Sequence, residues 1–565
     1  MGPKAVWSVL SLFRLLWCLL PQTGYLHPDE FFQSPEVMAG DVLQLQVFRP
    51  WEFLPPSPCR SVVSPFITSG ISFWVIHSLQ QLDILKNPPS SYTLLVFPRF
   101  FVTLSSFLLD LCIYHVAPLW GADRWPALAL LAGSYVTTVF YTRTWSNAIE
   151  GLLFALLLLL VSSDAAPGTL AMPQHSRRKQ SSLLGVLLVT GFFNRPTFPA
   201  FAVVPVLCWA GRLSRYNVLQ MTKELLKLVP SATATAIVFI VADTLYFTPV
   251  QCQKSSILSF VAHVGWNAVG TPLNFLTYNL SPSQLAQHGT HHRLTHLVVN
   301  GILLFGILHL WALSALTKSC MYCLCQMKRT HKMPPGPVPV LLLFCFVPLT
   351  LLSMFSHQEP RFLIPLILPL VLLNARGSKI ARWRFAIVCF NVAGAIFFGL
   401  LHQGGLVPAL GHLEKILRSE SQQNNASSVT LLFAHTYMPP RFLLSIPQQN
   451  MLVKVVDIAG AEEPVLCQKL AELADHSFLR EQYALRDSVT KTPVENSAFG
   501  RQQAGLVLVI TPGTVQLAVQ RCGFAVQRES SWFPHVSLED PPQLASFYNN
   551  NWLDLLGLHV LQLQL

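Results

Sequence analysis

The sequence predicts a polytopic α-helical membrane protein of about ten to twelve spans that ends in a small lumenal α/β domain, and three observations predict it. Of 565 residues, 52% are hydrophobic and only 12% are charged, with a mean hydropathy of +0.45. So little polar surface cannot cover a water-soluble fold of this size. Apolar runs near the ~20 residues needed to cross a bilayer recur as far as the stretch before Gly404. Beyond it they cease, and charges of both signs appear. The net charge of +11 does not indicate nucleic acid, because Lys and Arg stand in short groups between apolar runs, as they do in cytosolic membrane loops.

Residues 5–20 begin like a secretory signal, but no small-residue cleavage site precedes the polar segment opening at Pro21, so a retained first span is expected. Further runs cover 61–78, 92–117, 126–141, 148–162, 183–210, 229–248, 295–316, 337–356, 360–374 and 386–402. Four intervening segments are basic: Arg177, Arg178 and Lys179; Arg212, Arg215 and Lys227; Lys328, Arg329 and Lys332; and Arg376, Lys379 and Arg382. The positive-inside rule puts all four in the cytosol. Run 183–210 must then be two short helices broken at Asn194-Arg195-Pro196, with the break facing the lumen. The same parity makes 249–294, the segments around His357 and His402 and everything after 405 lumenal, and 21–60 is taken as lumenal as well. The four apparent spans of 61–162 have the wrong parity, so one is expected to be re-entrant or doubled.

A division follows into a transmembrane part, 1–404, and a lumenal C-terminal domain, 405–565. In the latter, strand-like segments at 429–433, 452–457 and 506–511 alternate with helical ones. Cys467 and Cys522 fall in this domain and are expected to pair in an oxidising compartment. Cys320, Cys323 and Cys325 lie beside a cytosolic membrane end with only His331 as a nearby fourth ligand, so no metal site is assigned. Asn279-Leu280-Ser281 and Asn425-Ala426-Ser427 are glycosylation sequons in segments read as lumenal.

The chemistry concentrates just after the first span, in His27-Pro28-Asp29-Glu30-Phe31-Phe32-Gln33 followed by Glu36. One acid there would serve as a helix-dipole partner; two beside a histidine at a membrane surface suggest catalysis. An acceptor hydroxyl loses its proton as a glycosidic bond forms, and a carboxylate can take it. A lipid phosphate leaving group requires cationic or N–H donors. Arg143, Arg195, His291 and His292, His357 with Arg361, and His402 all fall at ends read as lumenal. Each alone reads more readily as a snorkelling Arg or a core His; their common side of the membrane favours function.

These residues carry a family resemblance. The set His27-Pro28-Asp29-Glu30, Arg143-Thr144 with Ser146-Asn147 and Glu150, Arg195-Pro196-Thr197, Pro272 with Asn274-Phe275 and Tyr278-Asn279, and Ser356-His357-Gln358-Glu359 with Arg361-Phe362-Leu363 resembles glycosyltransferase family 22. Its members are endoplasmic reticulum mannosyltransferases that use dolichyl phosphate mannose. The resemblance runs in order from residue 5 to about 405 and implies a GT-C fold. The stretch Trp17 to Ala39 is particularly similar to members that add the fourth mannose of the glycosylphosphatidylinositol (GPI) anchor precursor. The implied reaction is an inverting α-1,2-mannosyl transfer to a trimannosyl GPI precursor at the lumenal leaflet.

By the same resemblance Asp29 or Glu30 is the catalytic carboxylate, the two being unranked. His27, Arg143, Asn147, Arg195, His357, Gln358, Glu359, Arg361 and His402 are then candidates for holding the donor phosphate or sugar, and His288, His291 and His292 for acceptor discrimination. The chain departs from the family where relatives often read His-Gln-Arg-Gly: it has His402-Gln403-Gly404-Gly405. No cofactor is expected beyond the lipid donor; the mechanism preferred is metal-free, with a divalent ion between Asp29 and the phosphate left open. The expected partners are the lipid-linked donor, the GPI glycolipid and the membrane. Alternatives are a sister transferase adding the third GPI mannose or an N-glycan-precursor mannose, and a lipid transporter or scramblase. Defined acceptors separate the first; the acids at the surface rather than the midplane, and the lack of an inverted repeat, weigh against the second.

Overall fold

The computed structural model describes residues 2–165, 174–248, 262, 264–281, 289–326, 336–376, 379–422, 428–450, 453–474, 505–538, 540–542 and 551–564. The chain divides into two compact units, one of residues 1–19, 49–69 and 98–393, the other of 20–48, 70–97 and 394–565. The second therefore holds two early segments that the sequence analysis groups with the membrane portion.

Among the described residues, Ser91–Leu119, Val218–Phe247, Ile307–Leu324 and Ile380–Leu401 are long and apolar enough to cross a membrane, and five shorter apolar helices accompany them. In the first unit, helix Ser146–Ala165 packs on Gln174–Asn194, on Phe198–Leu213 and on the 3-10 turn Pro360–Leu366. Run 183–210 is indeed two helices: Arg195 and Pro196 lie between Asn194 and Phe198. Pro199 suits the first turn of a new helix but no helix interior. Helix Pro3–Leu19 lies against Arg124–Ala132. Its buried Arg14 meets Asp110 through both terminal guanidinium nitrogens, at 2.7 and 3.2 Å, while the Trp7 indole N–H also donates to Asp110 at 2.8 Å. A buried charge pair with this many hydrogen bonds specifies helix register; breaking one partner leaves the other uncompensated.

The second unit is built on a five-stranded mixed sheet of order β2-β1-β3-β5-β4. The strands are β1 Val429–Phe433, β2 Val453–Asp457, β3 Leu506–Pro512, β4 Val526–Trp532 and β5 Leu558–Leu563. β1 pairs in parallel with β2 and β3, and β5 runs antiparallel to β3 and β4. One face buries Leu432, Val507, Val509 and Leu561 against Leu466, Leu470 and Val519 from helices 463–474 and Gln516–Arg521. Residues alternate across a strand, so Leu431, Leu508 and Val560, also buried, face the other way. That side meets the amphipathic helix Leu406–Gln422 through β4 and β5. Cys467 and Cys522 are joined by a disulfide, Cα to Cα 5.1 Å, which ties the two helices of the first face together.

A strap, residues 434–448, leaves β1 and runs along loop 20–48. The Tyr25 hydroxyl donates to the Met438 carbonyl at 2.9 Å, the Gln46 N–H to the Ile446 carbonyl at 2.7 Å, and the Gln448 N–H to the Gln44 carbonyl at 2.9 Å. Leu45 and Pro447 form an antiparallel bridge.

Candidate active site

In the second unit the acid pair opens a single helical turn, Asp29–Phe32, and a second helix, Pro35–Leu43, follows after two residues. Glu30 points inward and is fully buried, while the Asp29 side chain keeps about a quarter of its surface exposed. Of the two, Asp29 is the carboxylate that a hydroxyl could reach. The Gln33 amide donates to Asp29 Oδ2. The Asp29 N–H donates to His27 Nδ1 at 3.2 Å. That nitrogen is therefore an acceptor, and its 3.5 Å approach to Asp29 Oδ1 is not an ion pair in this tautomer.

Behind the pair, Tyr25 packs edge-on against Phe31 and Tyr437, at 4.9 and 5.4 Å between centroids. Burial, reinforced by Glu30, Glu36 and Asp29, pushes its phenol well above the usual range and keeps it a donor. The His402 ring N–H donates to the Tyr25 carbonyl at 2.8 Å, and the Tyr25 N–H returns to the His402 carbonyl at 2.8 Å. His402 thus fastens the entry of the loop that carries Asp29. The family's missing arginine also has a steric account here, since a Cβ on Gly404 would lie 1.9 Å from the Leu400 carbonyl oxygen and 2.7 Å from that of Pro534.

The first unit gathers most of the remaining candidates. The Arg195 guanidinium donates to Ser146 Oγ at 2.8 Å and lies 3.6 Å from Glu150, whose other oxygen accepts from the Thr197 hydroxyl at 2.6 Å. Asn147 is fully buried on the same helix as Glu150, and Arg143, just before that helix, is fully buried too. Glu359 is shared between His357 and Arg361: Oε1 meets His357 Nε2 at 2.8 Å, and Oε2 meets Arg361. Burial would lower the His357 ring's proton affinity, but the hydrogen bond and charge of Glu359 outweigh it and raise the pKa above the usual value despite Arg361. Phe362 receives both arginines, Arg195 at 5.3 Å and Arg361 at 5.6 Å, and Arg361 also approaches the Trp145 ring at 5.9 Å. At these separations the ring faces attract the guanidinium charge.

Gln358 has a different use. Its Oε1 accepts from the His296 N–H at 3.0 Å and its amide N–H groups go to the carbonyls of Ser353 and Phe355, both at 3.1 Å, so it shapes the loop. His291 is exposed, accepts the Gln358 N–H at Nδ1 and lies 5.8 Å from the His357 ring; His292 is exposed and caps the Leu294 N–H. His288 and Asn425 lie outside the described residues. The Asn279 amide donates to the Phe275 carbonyl one turn back, at 2.9 Å. Gln33, Glu150, Trp145 and Phe362 acquire contacts that the motifs alone did not assign; the four-residue step from Asp29 to Gln33 is the one signal of this kind written in the sequence. Among the described residues, no three His, Cys, Asp or Glu side chains are grouped to hold a metal ion.

The Alg9-like mannosyltransferase family model matches residues 5–444. The chain belongs to that family. It is 48% identical to the human GPI alpha-1,2-mannosyltransferase 4 over all of this chain and 94% of that protein. The GPI mannosyltransferase 4 of Drosophila melanogaster is 30% identical, with 78% and 71% covered, and that of Schizosaccharomyces pombe 30%, with 76% and 74%. Among solved structures, ArnT from Cupriavidus metallidurans bound to undecaprenyl phosphate aligns with a TM-score of 0.43 at 12% identity, over 99% of this chain and 97% of that one. This family member is a glycosyltransferase with several apolar helices, hence a membrane protein.

Proposed function

We propose that the chain transfers mannose in α-1,2 linkage from dolichyl phosphate mannose to a trimannosyl GPI precursor, at the lumenal face of the endoplasmic reticulum membrane and on a GT-C architecture. The observation that carries this is the 48% identity, over the whole chain, to the human protein named GPI alpha-1,2-mannosyltransferase 4. The lumenal assignment draws support from charge parity and from the Cys467–Cys522 bridge, which belongs to an oxidising compartment.

Asp29 is the base. Its exposed carboxylate takes the proton of the acceptor 2-hydroxyl while that oxygen attacks the anomeric carbon from the face opposite the phosphate. One displacement converts a β-linked donor into an α-linked product. Glu30, buried behind it, sets the charge and shape of the turn. The leaving dolichyl phosphate requires positive charge, and His357, Arg361 and Arg195 are the groups that supply it. By the family resemblance His27, Arg143 and Asn147 serve the donor and His288, His291 and His292 the acceptor, while Glu359 holds His357 and Arg361. The mechanism proposed is metal-free, with a divalent ion between Asp29 and the phosphate as the alternative.

The test is transfer of labelled mannose from dolichyl phosphate mannose, in membranes with matched protein levels, to acceptors carrying two or three mannoses. Elongation of the trimannosyl lipid is expected, and Asp29→Asn should lower it about 10² to 10⁴-fold. Elongation of the dimannosyl lipid alone would replace the acceptor assignment. Near-wild-type rates in both Asp29→Asn and Glu30→Gln would remove the catalytic one.

A further inference from the structure

Glu36 is fully buried, yet its carboxylate accepts three main-chain N–H groups. Oε1 receives Phe48 at 2.8 Å and Arg441 at 3.1 Å; Oε2 receives Phe442 at 3.3 Å. Phe48 lies at the far end of the loop that carries Asp29. Arg441 and Phe442 open the 3-10 turn Arg441–Leu444 in the middle of the strap. First-turn N–H groups have no partner within their own helix, and the oxygens of a carboxyl group can accept from them.

Glu36 itself sits on the first turn of helix Pro35–Leu43, immediately behind the turn Asp29–Phe32, and the two pack together. Phe31 and Phe73 both lie 6.1 Å from the Phe442 ring, so apolar packing surrounds the same anchor. With Pro35 fixing the backbone between them, few free torsions separate Glu36 from Asp29. A shift of the strap at residue 441 is therefore passed to the acid.

We propose that Glu36 is a positioning residue for mannosyl transfer: it fastens the helix behind the acid pair to strap 434–448, so that the segment leaving the C-terminal sheet holds Asp29 in its working geometry. This rests on Asp29 being the base. It gives the C-terminal domain a part in the transfer step itself.

The experiment measures kcat and donor KM per folded molecule, with folded protein quantified by size exclusion in detergent. Glu36→Ala removes both acceptor oxygens and all three hydrogen bonds and should lower kcat roughly 10²-fold, as expected for a displacement of about 1 Å, with KM little changed. Glu36→Gln keeps a carbonyl oxygen for Phe48 and Arg441 and loses only the longest bond, so it should recover to within about fivefold of wild type. Arg441→Pro tests the other side. The position opens a turn after an extended Pro440, ψ 106°. Proline is accommodated there, and the change deletes one N–H bound to Glu36. It should exceed Arg441→Ala in effect, and Glu36→Ala with Arg441→Pro should be no worse than Glu36→Ala alone. A wild-type kcat per folded Glu36→Ala molecule, a loss in KM only, or no recovery by Gln would overturn the proposal. Asp29→Asn, run in parallel, reports separately: if it stays active the base assignment falls, whatever the Glu36 series shows.

Discussion

The side-chain amide of buried Gln33 donates to the carboxylate of Asp29, one helical turn ahead of it. An amide at this place orients the base without adding charge. Gln33→Leu keeps the volume near that of glutamine but removes this hydrogen bond to Asp29. The expected result is a fall of roughly 10-fold in kcat, from the loss of about one oriented hydrogen bond, with protein level and donor KM near wild type. A wild-type kcat in the labelled-mannose assay would make Gln33 a packing residue only.

Phe362 lies under two guanidinium groups, and Arg361 is held in place by Glu359 and Trp145 as well as by this ring. Lysine keeps the charge but neither the planar fork nor the stacking. Arg361→Lys should therefore resemble Arg361→Ala, each costing about 1.5 to 3 kcal/mol in handling of the lipid phosphate. The readout is donor KM and kcat/KM; full recovery by Lys would mean that charge alone matters there.

Burial pushes the Glu36 carboxyl up to about 8, against the pull of the three N–H groups and Arg441. Because the folded protein then binds this proton more tightly than the unfolded chain, Glu36 contributes stability that is fully present below the ordinary carboxylate range and is lost as pH rises towards 8. The slope is at most about 1.4 kcal/mol per pH unit for one group. Glu36→Gln does not titrate, so its melting temperature relative to wild type should climb between about pH 5 and 8. A constant difference across that range, measured by thermal unfolding in detergent, would contradict the shift.

How far the sequence reaches can be seen at individual residues. The break at Asn194-Arg195-Pro196 is legible because proline and charge leave a helix few choices, and β1 to β3 are legible as short apolar runs. β4, Val526–Trp532, is not: its VQRESSW composition is polar, and it is a strand because β5 supplies its hydrogen bonds, context overriding intrinsic preference. The ranking of Asp29 over Glu30 is equally hidden, since adjacent residues on one turn differ only in which faces solvent. The Glu36 tether joins positions about four hundred apart through backbone N–H groups, which carry no side-chain signature at all.

Gly404 supplies the remaining prediction. It stands where relatives often carry arginine. In this chain the Leu400 and Pro534 carbonyls approach so closely that even a methyl group requires backbone movement. The neighbours are tied down: the His402 ring holds the Tyr25 carbonyl, and the Gln403 N–H reaches the Val536 carbonyl at 3.0 Å. Gly404→Ala should cost about 1 to 3 kcal/mol as an overpacked site does, and should lower transfer by loosening the loop that begins at Tyr25. Gly404→Arg, although it restores the family's residue, should accumulate as less folded protein and gain no activity. Gly460→Ala is the control, since nothing lies within 4 Å of a Cβ built there. If Gly404→Ala melts and turns over like Gly460→Ala, the close approach of these carbonyls does not constrain the loop, and the arginine's absence needs another cause.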